Sequence, residues 1–147
     1  MVQLTDRTDL GLRMLLYLAV HDDGRVSVAT IAQAYGASEA HLSKVAQALV
    51  HAGFIDTLPG RGGGVRLTRS PAAIRVGAVV RALEPMPLAA CFASDRPCVV
   101  AGPCGLQPAL RAAREAFLAV LDGVTIADAA VQRPALRGRL GSKTPPG

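Results

Sequence analysis

The stretch from Ser27 to Gly53 constrains the fold more than any other part of the chain, because it holds two short apolar-periodic segments separated by one glycine turn. Ser27 opens the first, whose inward positions are Val28, Ile31, Ala32 and Tyr35. Gly36 ends it, since a residue without Cβ accepts the left-handed turn. Ser38 caps the second, with Leu42, Val45, Ala46 and Leu49 facing inward. Glu39 sits in its first turn, where the positive end of the helix dipole favours a carboxylate. Two amphipathic helices joined by a short glycine-containing turn are the helix-turn-helix pattern. The outer face of the second helix carries His41, Ser43, Lys44, Gln47 and His51.

The flanking sequence completes a small unit around that motif. A helix capped by Thr8 is expected before it, buried through Leu12, Leu15, Leu16, Ala19 and Val20, and ended by the run His21-Asp22-Asp23-Gly24. After it, residues 54–58 and 65–69 read as two strands joined by Pro59-Gly60-Arg61-Gly62-Gly63-Gly64, which has the turn chemistry of a hairpin. Ser70-Pro71 restarts the chain, and residues 74–83 supply Val76, Val79, Val80 and Leu83 to cover the hairpin before Pro85 breaks the run. The expected fold is mainly α with a small β-hairpin wing: a winged helix-turn-helix over residues 1–84.

In this arrangement the second helix enters a DNA major groove, so Ser38, His41, Ser43, Lys44 and Gln47 are the candidate base and phosphate contacts. The plainer alternative is a helical bundle in which Lys44 and Gln47 are merely solvated. At the hairpin tip, Gly62 and Gly63 allow close approach to a sugar-phosphate backbone while Arg61 reaches a phosphate or a narrow minor groove. A mobile surface turn is the other reading of the same glycines. Neither nucleotide-binding glycine pattern fits: no Gly-Lys-Ser/Thr follows, and Val65 stands where the dinucleotide fingerprint needs glycine.

Residues 85–105 contain Pro85, Pro87, Pro97 and Pro103 together with all three cysteines, Cys91, Cys98 and Cys104, and so many prolines exclude a regular helix. Thiolates in such a loop can converge on iron. Zinc fits less well, because structural zinc sites use closer cysteine pairs, and three buried free thiols or a metal-free thiol-oxidation sensor also satisfy the pattern. Residues 106–121 form an amphipathic helix through Leu106, Leu110, Ala113, Phe117, Val120 and Leu121. Lying outside the first core, this helix wants a partner. Thr125 and Asp128 form a capping box for a last short helix, and residues 133–147, rich in Pro, Gly and Arg, are expected to be a disordered basic tail.

Charge adds little to the argument. The formal net charge of +5 falls to +1 without Arg133, Arg137, Arg139 and Lys143. There is no run of 18 apolar residues and no secretory-type start, so a cytoplasmic protein with no membrane partner is expected. His21, His41 and His51 stand apart and read as surface or capping residues. No Ser/His/Asp or Cys/His set has catalytic context, and enzymatic activity is not expected.

The segments LTDRTDLGLR, SEAHLSKVAQAL and GRGGGVRL, with Cys-x6-Cys-x5-Cys before a long helix, resemble the NsrR/IscR branch of the Rrf-type family of iron-sulfur winged-helix transcription regulators. The resemblance covers about residues 2–131. It implies a homodimer on an operator, the helix 106–132 region serving as the dimerisation element, and an iron-sulfur cluster on Cys91, Cys98 and Cys104. In the IscR type a histidine follows the last cysteine by three places, where this chain has Gln107. In NsrR-like members an acidic residue of the first helix completes the site, which points to Asp9, with Asp6 the lesser match. Nitric oxide as the signal, and a 4Fe-4S rather than a 2Fe-2S cluster, follow from the same resemblance. Same-fold regulators that sense iron, cluster status or redox state, and a zinc-stabilised adaptor for protein partners, are the alternatives.

Overall fold

A computed structural model describes residues 3–92 and 98–141. Helix α1 (Asp6–Val20) is buried through Met14, Leu15, Tyr17 and Leu18 and forms the spine of the core. Its N-cap is Thr5, whose side chain accepts from the Thr8 N–H, and not Thr8, which lies buried inside the helix. The carboxylates of Asp6 and Asp9 in the first turn favour this earlier start.

Helices α2 (Val28–Tyr35) and α3 (Glu39–His51) have the expected caps, with Gly36 in the left-handed conformation between them at φ 62°. Leu42, Val45, Ala46 and Leu49 face the core. The strands are shorter than the sequence suggests: β1 (Ile55–Leu58) pairs antiparallel with β2 (Gly64–Leu67), with Ile55 opposite Leu67 and Leu58 opposite Gly64. A third piece of extended chain, at Val26, joins the hairpin. Val26 N–H donates to Val65 O at 3.0 Å and Val65 N–H donates to Val26 O at 2.8 Å, which anchors the wing to the segment before α2.

After a 3-10 turn at Pro71–Ala73 comes α4 (Val76–Leu83), buried through Val79, Val80 and Leu83. The proline-rich segment holds no α-helix among its described residues and one 3-10 turn at Ala90–Phe92. Helix α5 (Leu106–Asp122), about 26 Å long at 1.5 Å per residue, touches the rest of the chain mainly at its C-terminal end. There the Arg81 guanidinium makes a bidentate pair with Asp122, and Gly77 leaves no room for a Cβ against the Asp122 backbone nitrogen. Helix α6 (Ile126–Ala129) has the Thr125/Asp128 capping box and returns to the core through Ile126.

The C-terminal stretch departs from expectation. Residues 133–140 form a helix, α7 (Arg133–Leu140), with Pro134 in its first turn, docked on the end of α1. Residues 142–147 lie outside the described part of the chain. The arginines that suggested a solvated tail are turned onto the end of α1, and Leu136 and Leu140 pack against the core beside them. Helix α1 has no basic residue in its last turn, and Arg133 and Arg137 donate to Val20 O while also pairing with Asp22. Cations at a helix C-terminus are stabilised by the dipole and by the unpaired carbonyls there. His21, the C-cap of α1, is buried beneath this contact and is not a surface residue.

Candidate functional site

Ser38, His41, Lys44 and Gln47 are exposed along α3, as a groove-reading helix requires, while Ser43 is half-buried and turned toward the wing. The Ser38 hydroxyl is engaged in capping, accepting from His41 N–H at 3.3 Å. On the wing side of α3, Ser43, Gln47 and His51 share a mostly apolar groove of about 440 Å³ with Val28, Val50, Thr57 and Val65. On the other side a groove of about 530 Å³ brings together Arg7, His41, Lys44, Gln47, His51 and Ala82.

Arg7 belongs to this basic groove and was not expected there. In the sequence it is one more polar residue of the first turn of α1, and only the crossing of α1 over α3 places it beside Lys44. Arg25 and Arg66, by contrast, are drawn into ion pairs with Asp56 at the base of the wing. Burial works against the charge on Asp56, but the bonds from Arg66 and Arg25 outweigh it and hold the carboxyl below its usual range. Two of the basic side chains nearest the hairpin therefore brace it, which leaves Arg61 as the exposed cation at the tip.

The tip glycines have separate reasons. Gly60 and Gly62 have φ of 87° and 75° with open space around them, whereas a Cβ on Gly63 would fall 2.8 Å from Gly60 O and nearer still to Leu58 O. Gly63 N–H closes the turn on Gly60 O at 3.0 Å. Gly62 is exposed and Gly63 half-buried, so Arg61 and Gly62 form the outermost point of the wing.

Cys91 lies in the 3-10 turn, Cys98 starts a turn in which its carbonyl accepts from Ala101 N–H at 3.0 Å, and Cys104 stands two residues before α5. All three are half-buried free thiols. Arg114 of α5 lies over the Phe92 ring at 5.3 Å, which ties the first part of the loop to the long helix. As a donor set, three uncrosslinked thiols within 14 residues suit iron or another thiophilic metal. Among the described residues, however, no three His, Cys, Asp or Glu side chains converge closely enough to hold a metal ion. Asp9 does not join the cysteines: both its oxygens are held by Arg13, Nε to Oδ1 at 3.1 Å and Nη2 to Oδ2 at 2.9 Å. Asp6 is exposed and Gln107 half-buried near the start of α5.

The loop and α1 meet at Glu84, the residue that follows α4. Its carboxylate accepts from Thr5 N–H at 3.0 Å and from the Thr5 hydroxyl at 2.9 Å. Partial burial opposes its charge, yet the Thr8 and Thr5 donors prevail and keep its pKa below the usual value. Glu84 was not singled out in the sequence because its partner lies 79 residues away. The start of the cysteine loop is thus fixed to the N-cap of α1, two residues from Arg7 of the basic groove.

Comparison with known proteins agrees with this architecture. The model of the Rrf2 family, described as an iron-dependent transcriptional regulator, matches residues 4–132. The HTH-type transcriptional regulator NsrR of Geobacillus kaustophilus (strain HTA426) is 44% identical over 142 residues, which are 95% of this chain and 97% of that protein. The structure of CymR (YrzC), the global cysteine regulator of B. subtilis, matches with a TM-score of 0.71 at 28% identity, covering 90% of this chain and 98% of that one. T. potens IscR also matches with a TM-score of 0.71, at 25% identity, covering 96% and 93%.

Proposed function

The chain belongs to the Rrf2 family of transcriptional regulators, and from that premise we propose that it is a repressor whose DNA binding is governed by nitric oxide acting at an iron-sulfur cluster. Cys91, Cys98 and Cys104 would hold the cluster, and Asp9 would complete the ligand set. The observation that carries this reading is the set of three free, half-buried cysteines in the loop between the winged helix and α5, in a chain with 44% identity to an NsrR. Four irons with four sulfides suit the donor set, and two irons are also compatible with it.

A cluster held by these residues would supply iron with affinity for nitric oxide. The chain's own residues supply the rest. A carboxylate is a hard ligand beside three soft thiolates and is the weakest member of such a set. Arg13 holds Asp9 by two bonds, so it competes for that carboxylate whenever Asp9 is free of metal. Glu84 carries the position of the loop to Thr5, and the first turn of α1 carries Arg7 to the flank of α3. A change at the loop therefore has a short covalent and hydrogen-bonded path to the DNA-facing side.

DNA contact is assigned to Ser38, His41, Ser43, Lys44 and Gln47 of α3 and to Arg61, Gly62 and Gly63 of the wing. Homodimerisation is assigned to α5, where Phe117, Leu118 and Leu121 pack on the core but Leu106 and Val120 are each 70% exposed, without cover from the described residues. No described helix is long and apolar enough to cross a membrane.

The test is iron and acid-labile sulfide per chain in protein isolated without oxygen, followed by nitric-oxide titration of operator binding. About four of each, with release of DNA on titration, supports the proposal. A cluster that leaves DNA binding insensitive to nitric oxide favours the second reading, sensing of iron supply or redox state, which the family's iron-dependent description also suits. Zinc or free thiols in place of iron would remove the cluster mechanism and leave the winged helix standing.

A further inference from the structure

The His21 side chain is 4% exposed, and each of its two ring nitrogens faces a carbonyl oxygen. Nδ1 lies 3.0 Å from Tyr17 O and Nε2 lies 2.9 Å from Gly141 O, the residue that caps α7. A carbonyl only accepts, and a neutral imidazole carries one N–H, so it can satisfy one of these contacts and must turn a lone pair on the other. Only the imidazolium donates to both. The Tyr17 contact lies within α1, where the ring is also stacked on Tyr17 at 4.1 Å, so it is fixed by local structure. The Gly141 contact is the one that can be given up.

We propose that His21 is a proton-operated latch that holds the C-terminal helix α7 on the end of α1. Protonated, it bridges Tyr17 O and Gly141 O; deprotonated, it keeps the local contact and lets the C-cap of α7 go. The proton leaves to solvent and nothing else changes covalently.

The surrounding charges set the balance. Asp22 next in sequence supplies the negative charge, held below its usual pKa first by its hydrogen bond from Arg133. Arg133 and Arg137 of α7 oppose a second cation nearby, but both are already turned to Asp22 and Val20 O. Arg66 and Arg69 from the wing side share a pocket with Asp22. Burial pushes the Tyr17 pKa up, and that of Tyr35 of α2 up to about 12, so both stay neutral through the histidine range. Asp128 of the adjoining α6 is occupied by the Thr125 cap. Tyr35 packs edge-on against Tyr17 at 6.4 Å, so the latch abuts the first helix of the helix-turn-helix.

The experiment follows the full-length chain, labelled with nitrogen-15, from pH 5.5 to 8.5. Ring-nitrogen NMR reads the protonation of His21, assigned by comparison with His21→Gln, and hydrogen exchange reads the protection of residues 133–141 after correction for base catalysis. The expected result is both His21 nitrogens protonated at the acid end. Protection of 133–141 should then fall about tenfold or more across the same pH step, the loss of one charge-assisted hydrogen bond. In His21→Gln, protection should be low and without that step. A single neutral tautomer at every pH with α7 protected throughout would overturn the proposal, as would an unchanged step in the variant. Should His21→Gln fail to fold, the wild-type carbonyl carbon shift of Gly141 must titrate together with the His21 ring; separate midpoints would overturn the latch equally.

Discussion

The wing is attached to the body at Gly64, and replacing that residue with alanine should loosen it from Val26, whereas a Cβ on Gly63 clashes only within the hairpin and one on Gly60 or Gly62 meets nothing. A Cβ at Gly64 would stand 2.6 Å from the carbonyl carbon of Val26, closer still to its oxygen, and 3.1 Å from Ser27 N. These are backbone atoms, so no rotamer change relieves the clash. The φ of 127° is itself outside the range an alanine adopts readily. The cost combines about 1–3 kcal/mol for the backbone conformation with about 1–3 kcal/mol for the overlap. Relief requires separating the two hydrogen bonds between Val26 and Val65, so about 3 kcal/mol or more is expected. Gly62→Ala is the control, since its φ is also positive at 75° but nothing lies within 4 Å; it should cost about 1–2 kcal/mol. Urea unfolding at one fixed protein concentration measures both, with a slope of about 1–3 kcal/mol/M separating the two midpoints clearly. Equal destabilisation by the two variants would refute the steric argument and leave only the backbone conformation.

Lys44→Ala should lower the salt dependence of operator binding by about one unit of log–log slope while leaving sequence preference little changed. An unchanged slope in a salt titration would remove Lys44 from the phosphate contacts. Cys98→Ala should abolish the visible absorption of protein prepared without oxygen and keep the dimer; an unaltered spectrum would sink the ligand assignment. Val120→Asp should give a folded monomer by sedimentation, because that side chain is 70% exposed within the single chain, and a persisting dimer would place the interface elsewhere. Stability should also fall in acid. Asp22, Asp56, Glu84, Asp122 and Asp128 all have pKa values lowered on folding, so the unfolded chain binds more protons. Their contribution is present above the unfolded carboxylate range, about pH 4, and is lost as pH falls through the lower native values. Urea midpoints that stayed level from pH 5 to pH 3 would contradict this.

What could be read from the sequence was what local chemistry decides. Ser27, Gly36, Ser38 and the Thr125/Asp128 pair act on neighbours within four residues, and the caps stand where the residues put them. The first helix shows the limit of that reasoning: Thr5 and Thr8 are both competent caps, and what sequence could not show is that Thr8 is buried inside the helix while Glu84, from across the fold, accepts from the Thr5 backbone and hydroxyl. The wing was legible as a hairpin, but its glycines carry different duties that only packing separates, with Gly64 pressed against Val26 and Gly62 in open space.

The C-terminal helix and the basic groove failed to show for a common physical reason. An arginine reads as a solvated charge until its acceptor is known, and here the acceptors are tertiary. Arg133 and Arg137 find the carbonyl end of α1 and Asp22, more than a hundred residues away in sequence. Composition alone made that segment a tail, whereas docking gives each guanidinium a carbonyl and a carboxylate that the end of α1 had left over. Arg7 is the converse case, a cation that α1 carries to the flank of α3 beside Lys44, His41 and His51 without a carboxylate among the groove's lining residues. A helix end rich in unpaired carbonyls recruits arginines into structure, whereas the groove beside α3 sets Arg7 and Lys44 together with no carboxylate among its lining residues.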